Sequence, residues 1–295
     1  MKHLWMGAML FALGGTLLAQ TPAQQQRADG HTTKLLIYGQ SMQEGKCAPL
    51  AVISHGAGGS EQGLAYLGKG LSAAGWLAIT MNHVESGRDA ALVDIRAKGD
   101  RRAGVQVLVM TPSRYDARLM DVGAALDWAK AHCTAASGIP YKALLGHSMG
   151  GITTLLEAGA TNKIGVSPKW AGLDRFDAYV PLSAQGPGNV FASQGAFSEI
   201  KKPIFLLAGT RDGAPPEGGQ WRVEAFQSLP SDGARGCHWA GLVNGATHAD
   251  MGGNGPGAAK AGALIVPDVL AFLNGARAGK CVLPPPQADL PLHQK

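Results

Sequence analysis

The stretch from Ala143 to Ala158 constrains the fold more tightly than any other part of this chain. Ala143-Leu144-Leu145 is short and apolar, like a buried strand, and Ile152-Thr153-Thr154-Leu155-Leu156-Glu157-Ala158 has helical character. Between them lies Gly146-His147-Ser148-Met149-Gly150-Gly151, so the chain must turn from strand to helix within a few residues. Glycines on both sides of Ser148 suit a turn where a larger residue would collide with the adjoining strand or helix. Such a turn lifts the Ser148 hydroxyl above the end of a sheet. It also leaves the Met149 N–H at a helix N-terminus, aimed at any negative charge that develops there.

A bare G-x-S-x-G arises by chance, so its meaning depends on partners elsewhere. Upstream, the apolar run Leu50-Ala51-Val52-Ile53-Ser54 leads into His55-Gly56-Ala57-Gly58-Gly59, where flanking glycines let the Ala57 N–H approach a bound group closely. Downstream, Pro203 to Gly209 is an apolar strand candidate running into Thr210-Arg211-Asp212. A weaker strand candidate from Gly241 ends at Ala246-Thr247-His248. A serine hydroxyl is a poor nucleophile until a base takes its proton, and a neutral imidazole oriented by a carboxylate does this near neutral pH. Ser148, Asp212 and His248 supply those groups in the chain order Ser, Asp, His.

The rest of the chain alternates strand and helix signals. Lys34–Tyr38, Trp76–Met81 and Ala178–Leu182 read as strands, and Glu61–Ala74, Val223–Leu229 and Ala259–Leu273 as helices. Arg114–His132 places Leu119, Val122, Ala125, Leu126 and Ala129 on one helical face. Strands alternating with helices imply an α/β protein with a mostly parallel central sheet, helices on both faces, and chemistry at the strands' C-terminal ends. With 295 residues and 45% of them apolar, the chain is long enough for one large core.

With HGAGG, GHSMGG, AGTRD and GATH in register, the chain resembles the α/β-hydrolase superfamily over roughly residues 31–281. Within it the chain is similar to secreted bacterial esterases and to predicted dienelactone-hydrolase or platelet-activating-factor-acetylhydrolase-like proteins. The resemblance implies the α/β-hydrolase fold, with Ser148 as nucleophile, His248 as general base, Asp212 as its orienting acid, and Ala57 and Met149 as oxyanion-hole amides. It further implies hydrolysis of small to medium carboxylic esters through an acyl-enzyme, without cofactor or metal. A peptidase or amidase, a cofactor-free peroxidase, and a non-catalytic binding protein on the same fold are the alternatives. The chain departs from the family in two places. Only one strand candidate, Lys34–Tyr38, precedes the HGAGG strand, which implies a trimmed sheet edge, and the segment from Val84 to Ser113 is longer than a minimal connection. The dienelactone enzyme proper carries a cysteine where this chain has Ser148.

The first residues read as an export signal. Lys2 precedes a nearly continuous apolar run from Leu4 to Leu18, too short to span a bilayer comfortably, with small residues at Ala19 and Ala23. The expected organisation is a signal peptide at 1–19, a flexible lead at 20–30, the hydrolase domain at 31–282 and a Pro-rich tail at 283–295, in an exported protein without stable membrane insertion. The four cysteines suit an oxidising compartment and suggest two disulfides, for which three connectivities exist. The strand neighbourhood implied by the resemblance selects Cys47–Cys133 and Cys237–Cys281, both at the sheet edge away from the site.

Other candidates carry less. His83 follows the Trp76–Met81 strand and is read either as a substrate contact or as loop packing; His147, Trp170 and Trp221 are candidate substrate contacts. His238 reads as structural, Asp250 as a loop cap, Asp174 and Asp177 as backups for the acid, and His55 as a residue that shapes the site. Arg96, Lys98, Arg101 and Arg102 read as a solvated loop. With a net charge of only +5 and no interleaved aromatic residues, no nucleic-acid partner is expected. Gly63–Gly70 lacks the Ser or Thr of a phosphate-binding loop, and Gly252–Gly257 reads as a mobile loop.

Overall fold

The computed structural model describes residues 20–213, 218–231 and 237–295; the expected leader at 1–19 lies outside them. The chain opens with β1 (Gln20–Gln26) and β2 (Thr32–Tyr38), then a small ribbon of β3 (Met42–Gln43) and β4 (Lys46–Cys47). Next come β5 (Leu50–Ser54), α1 (Ala65–Ala73), β6 (Leu77–Met81), a single helical turn (Val84–Ser86), α2 (Arg88–Lys98), α3 (Arg101–Met110) and α4 (Pro112–Ala131). The central motif forms β7 (Lys142–His147) and α5 (Met149–Glu157), followed by β8 (Ala178–Leu182) and β9 (Ile204–Arg211). The short helices α6 (Gln220–Val223) and α7 (Ala225–Ser228) lead to β10 (His238–Thr247), α8 (His248–Met251), α9 (Ala258–Arg277) and β11 (Leu292–Gln294).

Among the described residues the main sheet has nine strands in the order β1-β2-β6-β5-β7-β8-β9-β10-β11. The run from β6 to β10 is parallel, while β1, β2 and β11 pair antiparallel at the borders. Period-two alternation divides each central strand between two cores. Leu50 and Val52 of β5, Leu144 of β7 and Leu206 of β9 face a core closed by α4 and α5. Ala51 and Ile53, Leu145, and Phe205 and Leu207 face a second core closed by α1 and α9. There Phe205, Trp239 and Phe272 pack ring on ring at 5.4–5.6 Å between centroids. α9 is long and apolar enough to cross a membrane by length and composition, but its Ala261, Ile265, Val269, Phe272 and Leu273 face is buried on the sheet.

Several sequence expectations need correction. Residues 20–26, expected as part of a flexible lead, are β1, paired along its length with β2, so that border is not trimmed. Its mostly polar sequence gives little hydrophobic pattern, because an edge strand can leave most of its side chains in water. The Pro-rich tail at 283–295 returns as β11 against β10 and closes the other border. The Val84–Ser113 segment is a helical hairpin rather than a loop. Gly99 ends α2 in the left-handed conformation, and the Asp100 carboxylate caps α3 by accepting from the Ala103 N–H at 2.7 Å. Gly104 permits the close crossing, since a Cβ there would lie 2.5 Å from the Ile95 Cα. The helix expected from Glu61 starts at Ala65, and the one expected over Val223–Leu229 is two single turns.

Both expected disulfides are present. Cys47–Cys133 joins the ribbon before β5 to the residues after α4, and Cys237–Cys281 joins the start of β10 to the residues after α9. They clamp the N-terminal ends of the parallel strands, and such cross-links fit an oxidising compartment. Closing loops of 86 and 44 residues limits the unfolded chain enough to contribute about 4–5 kcal/mol each in the chain-entropy model.

Candidate active site

Three strand ends converge at the opposite rim. Ser148 follows β7 directly and holds φ 57° and ψ −118°, a conformation that non-glycine residues rarely adopt. Its N–H is anchored on the Leu182 carbonyl at 2.9 Å, and its own carbonyl receives the Ile152 N–H at 3.0 Å. The glycines make the turn possible: a Cβ on Gly150 would overlap the Ser54 carbonyl, and one on Gly146 the Gly150 carbonyl. β5 therefore delivers its HGAGG loop directly against the serine, and a Cβ on Gly56 would lie 3.2 Å from the Ser148 Cβ.

Ser148 Oγ lies 2.9 Å from His248 Nε2, and His248 Nδ1 lies 2.7 Å from Asp212 Oδ1. Asp212, just beyond β9, is fully buried, whereas the His248 side chain is 40% exposed and open to a ligand. His248 is the first residue of α8, where Thr247 and Asp250 form a reciprocal capping box that fixes the backbone. Asp250 also accepts the Gly257 N–H at 2.7 Å, so the expected cap holds and the 252–257 segment is a tied turn. Arg222 on α6 reaches the same Asp212 Oδ1 at 2.6 Å and donates to the Ser183 carbonyl at 2.8 Å. The Met149 N–H opens α5, where a helix leaves its first N–H groups without internal partners.

A cavity of about 520 Å³ opens over Ser148 and His248. Its walls are Asp100 at the N-cap of α3, Arg101, Arg102, Val105, Gln106 and Val109 from α3, Ile152 from α5, and Ser183, Gln185 and Arg222 from the ends of β8 and α6. Arg101 and Arg102, expected in a solvated loop, thus face the site, and neither has an ion-pair partner among the described residues. The buried Ser183 Oγ and Gln185 Oε1 have no hydrogen-bond partner among the described residues. Among the described residues no cluster of three His, Cys, Asp or Glu is arranged to hold a metal ion.

The other candidates fall elsewhere. His147 lies beneath His248, with ring centroids 4.6 Å apart, and its Nε2–H donates to the His248 carbonyl at 3.0 Å. Burial, reinforced by His248, pushes its pKa down to about 3, so it stays neutral and positions His248 from outside the cavity. Trp221 donates from Nε1 to the Pro187 carbonyl at 3.0 Å, and Trp170 packs on the core under Lys169; neither lines the cavity. His238 is buried with Nδ1 on the Pro230 carbonyl. Asp174 accepts from the Tyr179 hydroxyl and Asp177 from the Lys142 N–H, so both serve the opposite rim.

His83 is not a substrate contact: it is fully buried, with Nε2 2.8 Å from Ser54 Oγ and Nδ1 2.8 Å from Asp121 Oδ2. These are the residue types of the exposed relay, sealed inside the core. Asp121 also accepts from Thr33 Oγ1 at 2.5 Å and from Arg27 Nη1 at 3.2 Å, and Arg27 forms further ion pairs with Glu85 at 2.6 Å and Asp29 at 2.7 Å. Burial, partly offset by Thr33 and Arg27, raises the Asp121 carboxyl to about 6. Arg118 and Asp121 went unnoticed in the sequence, although charged residues three apart within an otherwise apolar helix face of α4 were a visible signal. No family model matches the sequence, and no curated protein matches it.

Proposed function

We propose that this chain is an exported serine hydrolase of the α/β-hydrolase fold, cleaving carboxylic esters of small to medium substrates. The observation that carries this reading is the linear relay Ser148 Oγ, His248 Nε2, His248 Nδ1, Asp212 Oδ1, joined at 2.9 and 2.7 Å and opening on a cavity of about 520 Å³. The strand order and the positions of the three residues beyond β7, β9 and β10 support the fold reading. The two disulfides support export.

The chemistry follows from the geometry. His248 Nε2 takes the Ser148 proton as Oγ attacks the ester carbonyl carbon, and the carbonyl π electrons move onto oxygen. Asp212 holds Nδ1–H and stabilises the imidazolium that forms. The Met149 and Ala57 N–H groups hold the oxyanion. Collapse of the intermediate expels the alcohol with the proton from His248, and water then repeats the sequence on the acyl-enzyme. The cavity volume lies within the range of small-molecule sites.

The test is hydrolysis of a p-nitrophenyl ester series from acetate to palmitate by the mature protein beside Ser148→Ala. The substitution removes at least about 10⁴-fold of kcat. An undiminished rate in Ser148→Ala overturns the reading.

A further inference from the structure

Arg118 is completely buried on α4 and forms no ion pair among the described residues. A buried charge without a contacting counter-ion is costly, and an apolar side chain of similar volume would fill the same space at no such cost. Its hydrogen bonds show what the charge accomplishes. Nη1 donates to the His55 carbonyl at 2.7 Å and to Ser54 Oγ at 3.3 Å, Nη2 to the Gly56 carbonyl at 3.4 Å, and Nε to Ser86 Oγ at 2.7 Å. All but the last of these acceptors belong to the end of β5 and the HGAGG loop, and Ser86 itself accepts the Gly58 N–H of that loop at 2.9 Å through its carbonyl.

The Gly56 carbonyl is the focus. It also accepts from His55 Nδ1 at 2.6 Å and from the Gly59 N–H at 3.1 Å. His55 is held in that tautomer because its Nε2 accepts the His83 N–H at 3.1 Å. In a trans peptide the C=O and the next N–H point in opposite directions in one plane, so gripping the Gly56 oxygen fixes the direction of the Ala57 N–H. Donors at the carbonyl, one of them cationic, also draw electron density from the peptide and sharpen its N–H as a donor.

Building on the proposed nucleophilic role of Ser148, we propose that Arg118 is a positioning residue for the reaction. Its guanidinium, acting with His55, fixes and polarises the Gly56–Ala57 peptide so that the Ala57 N–H meets the oxyanion at the right place and strength. The Asp121–His83–Ser54 relay is the scaffold of this device: His83 orders His55 through its backbone and Ser54 through its ring, and Ser54 in turn accepts from Arg118. Burial lowers the Arg118 pKa only to about 10, which leaves it charged at neutral pH.

The experiment compares wild type, Arg118→Met, Arg118→Lys and Ser86→Ala, all checked for native near-UV circular dichroism. It measures kcat and KM on one p-nitrophenyl ester, and the inhibition constant of an alkylboronic acid that mimics the tetrahedral intermediate. Loss of an oxyanion donor costs about 10²–10³ in kcat, so a misdirected one in Arg118→Met lowers kcat by about 10- to 100-fold. KM stays within about 2-fold, and boronate affinity falls by the same factor as kcat, because both report the tetrahedral state. Arg118→Lys recovers part of both. A merely structural role would not tie boronate affinity to kcat at constant KM. Unchanged kcat in folded Arg118→Met, or a kcat loss without loss of boronate affinity, overturns the proposal. Should both Arg118 variants fail to fold, Ser86→Ala decides: a parallel loss in kcat and boronate affinity supports it, and unchanged values overturn it. Wild type lacking Ser148-dependent hydrolysis removes the underlying reading and this proposal with it, a result visible before any Arg118 variant is made.

Discussion

Arg222 Nε lies 2.6 Å from Asp212 Oδ1, the same oxygen that accepts from His248 Nδ1 at 2.7 Å. That one oxygen is therefore held from two sides, by the relay and by α6. Because Arg222 also donates to the Ser183 and Ala184 carbonyls, it ties the end of β8 to the turn after β9. Arg222→Gln leaves a buried carboxylate short of its cation. We expect a loss of about 3 kcal/mol of stability and a fall of about 10- to 100-fold in kcat as Asp212 loses its register. Urea denaturation and steady-state ester kinetics check the two effects separately.

Arg101 and Arg102 face the cavity on the first turn of α3, while the neighbouring Asp100 carboxylate is engaged in capping that helix. Esters with an anionic group in the acyl arm should show a KM about 5-fold below that of uncharged analogues at low ionic strength, a gap that closes as salt is added. Replacing both arginines with glutamate should reverse the preference. Equal KM values for charged and neutral analogues in wild type at low salt would rule this out.

Acid should destabilise the fold. Burial lowers the pKa of His55, His83, His147 and His238, so each ring binds its proton less readily in the folded chain than in the unfolded one. Below about pH 6.5 the unfolded chain therefore takes up more protons, and the free energy of unfolding declines as pH falls. Asp121, raised to about 6, and Asp268, also raised by burial, work in the opposite direction, but they are two groups against four. The melting temperature should drop steadily between about pH 7 and pH 4 and level off above pH 7. A flat profile over that interval contradicts the neutral state assigned to these rings.

How much of this was legible beforehand depends on which residues advertise themselves. Ser148, Asp212 and His248 sit in short motifs whose glycines and apolar strands are local signals, and both cysteine pairs followed from the strand neighbourhood that the family resemblance implies. β1 was hidden because an edge strand of glutamines lacks an apolar face. The α2–α3 hairpin was hidden because its polar residues outweigh its few buried ones, although Gly99-Asp100 is a helix stop followed by a helix start. Arg118 and Asp121 share one face of α4, but Arg27 and His83 reach Asp121 only in three dimensions, across 94 residues in the case of Arg27, and no local pattern links those two to the helix.

The disulfides should be separable from activity. Cys47→Ser with Cys133→Ser is expected to cost about 4–5 kcal/mol of stability. kcat at 25 °C should change little, because that clamp lies at the end of the strands opposite Ser148. Denaturant midpoints and ester rates on the same preparations check both halves. A large loss of kcat in a folded variant would mean that the two ends of the sheet are mechanically coupled.

Gln20 begins β1 at one border of the sheet, and Lys295, whose N–H donates to the His238 carbonyl at 2.9 Å, closes the other beside β10. With neighbouring strands about 4.8 Å apart, these two positions are separated by roughly 35–40 Å. A fluorophore pair placed on them would span every strand between, so its transfer efficiency would report the integrity of the whole sheet in one reading. The same separation means that a short peptide linking these two positions would pull a border strand out of register.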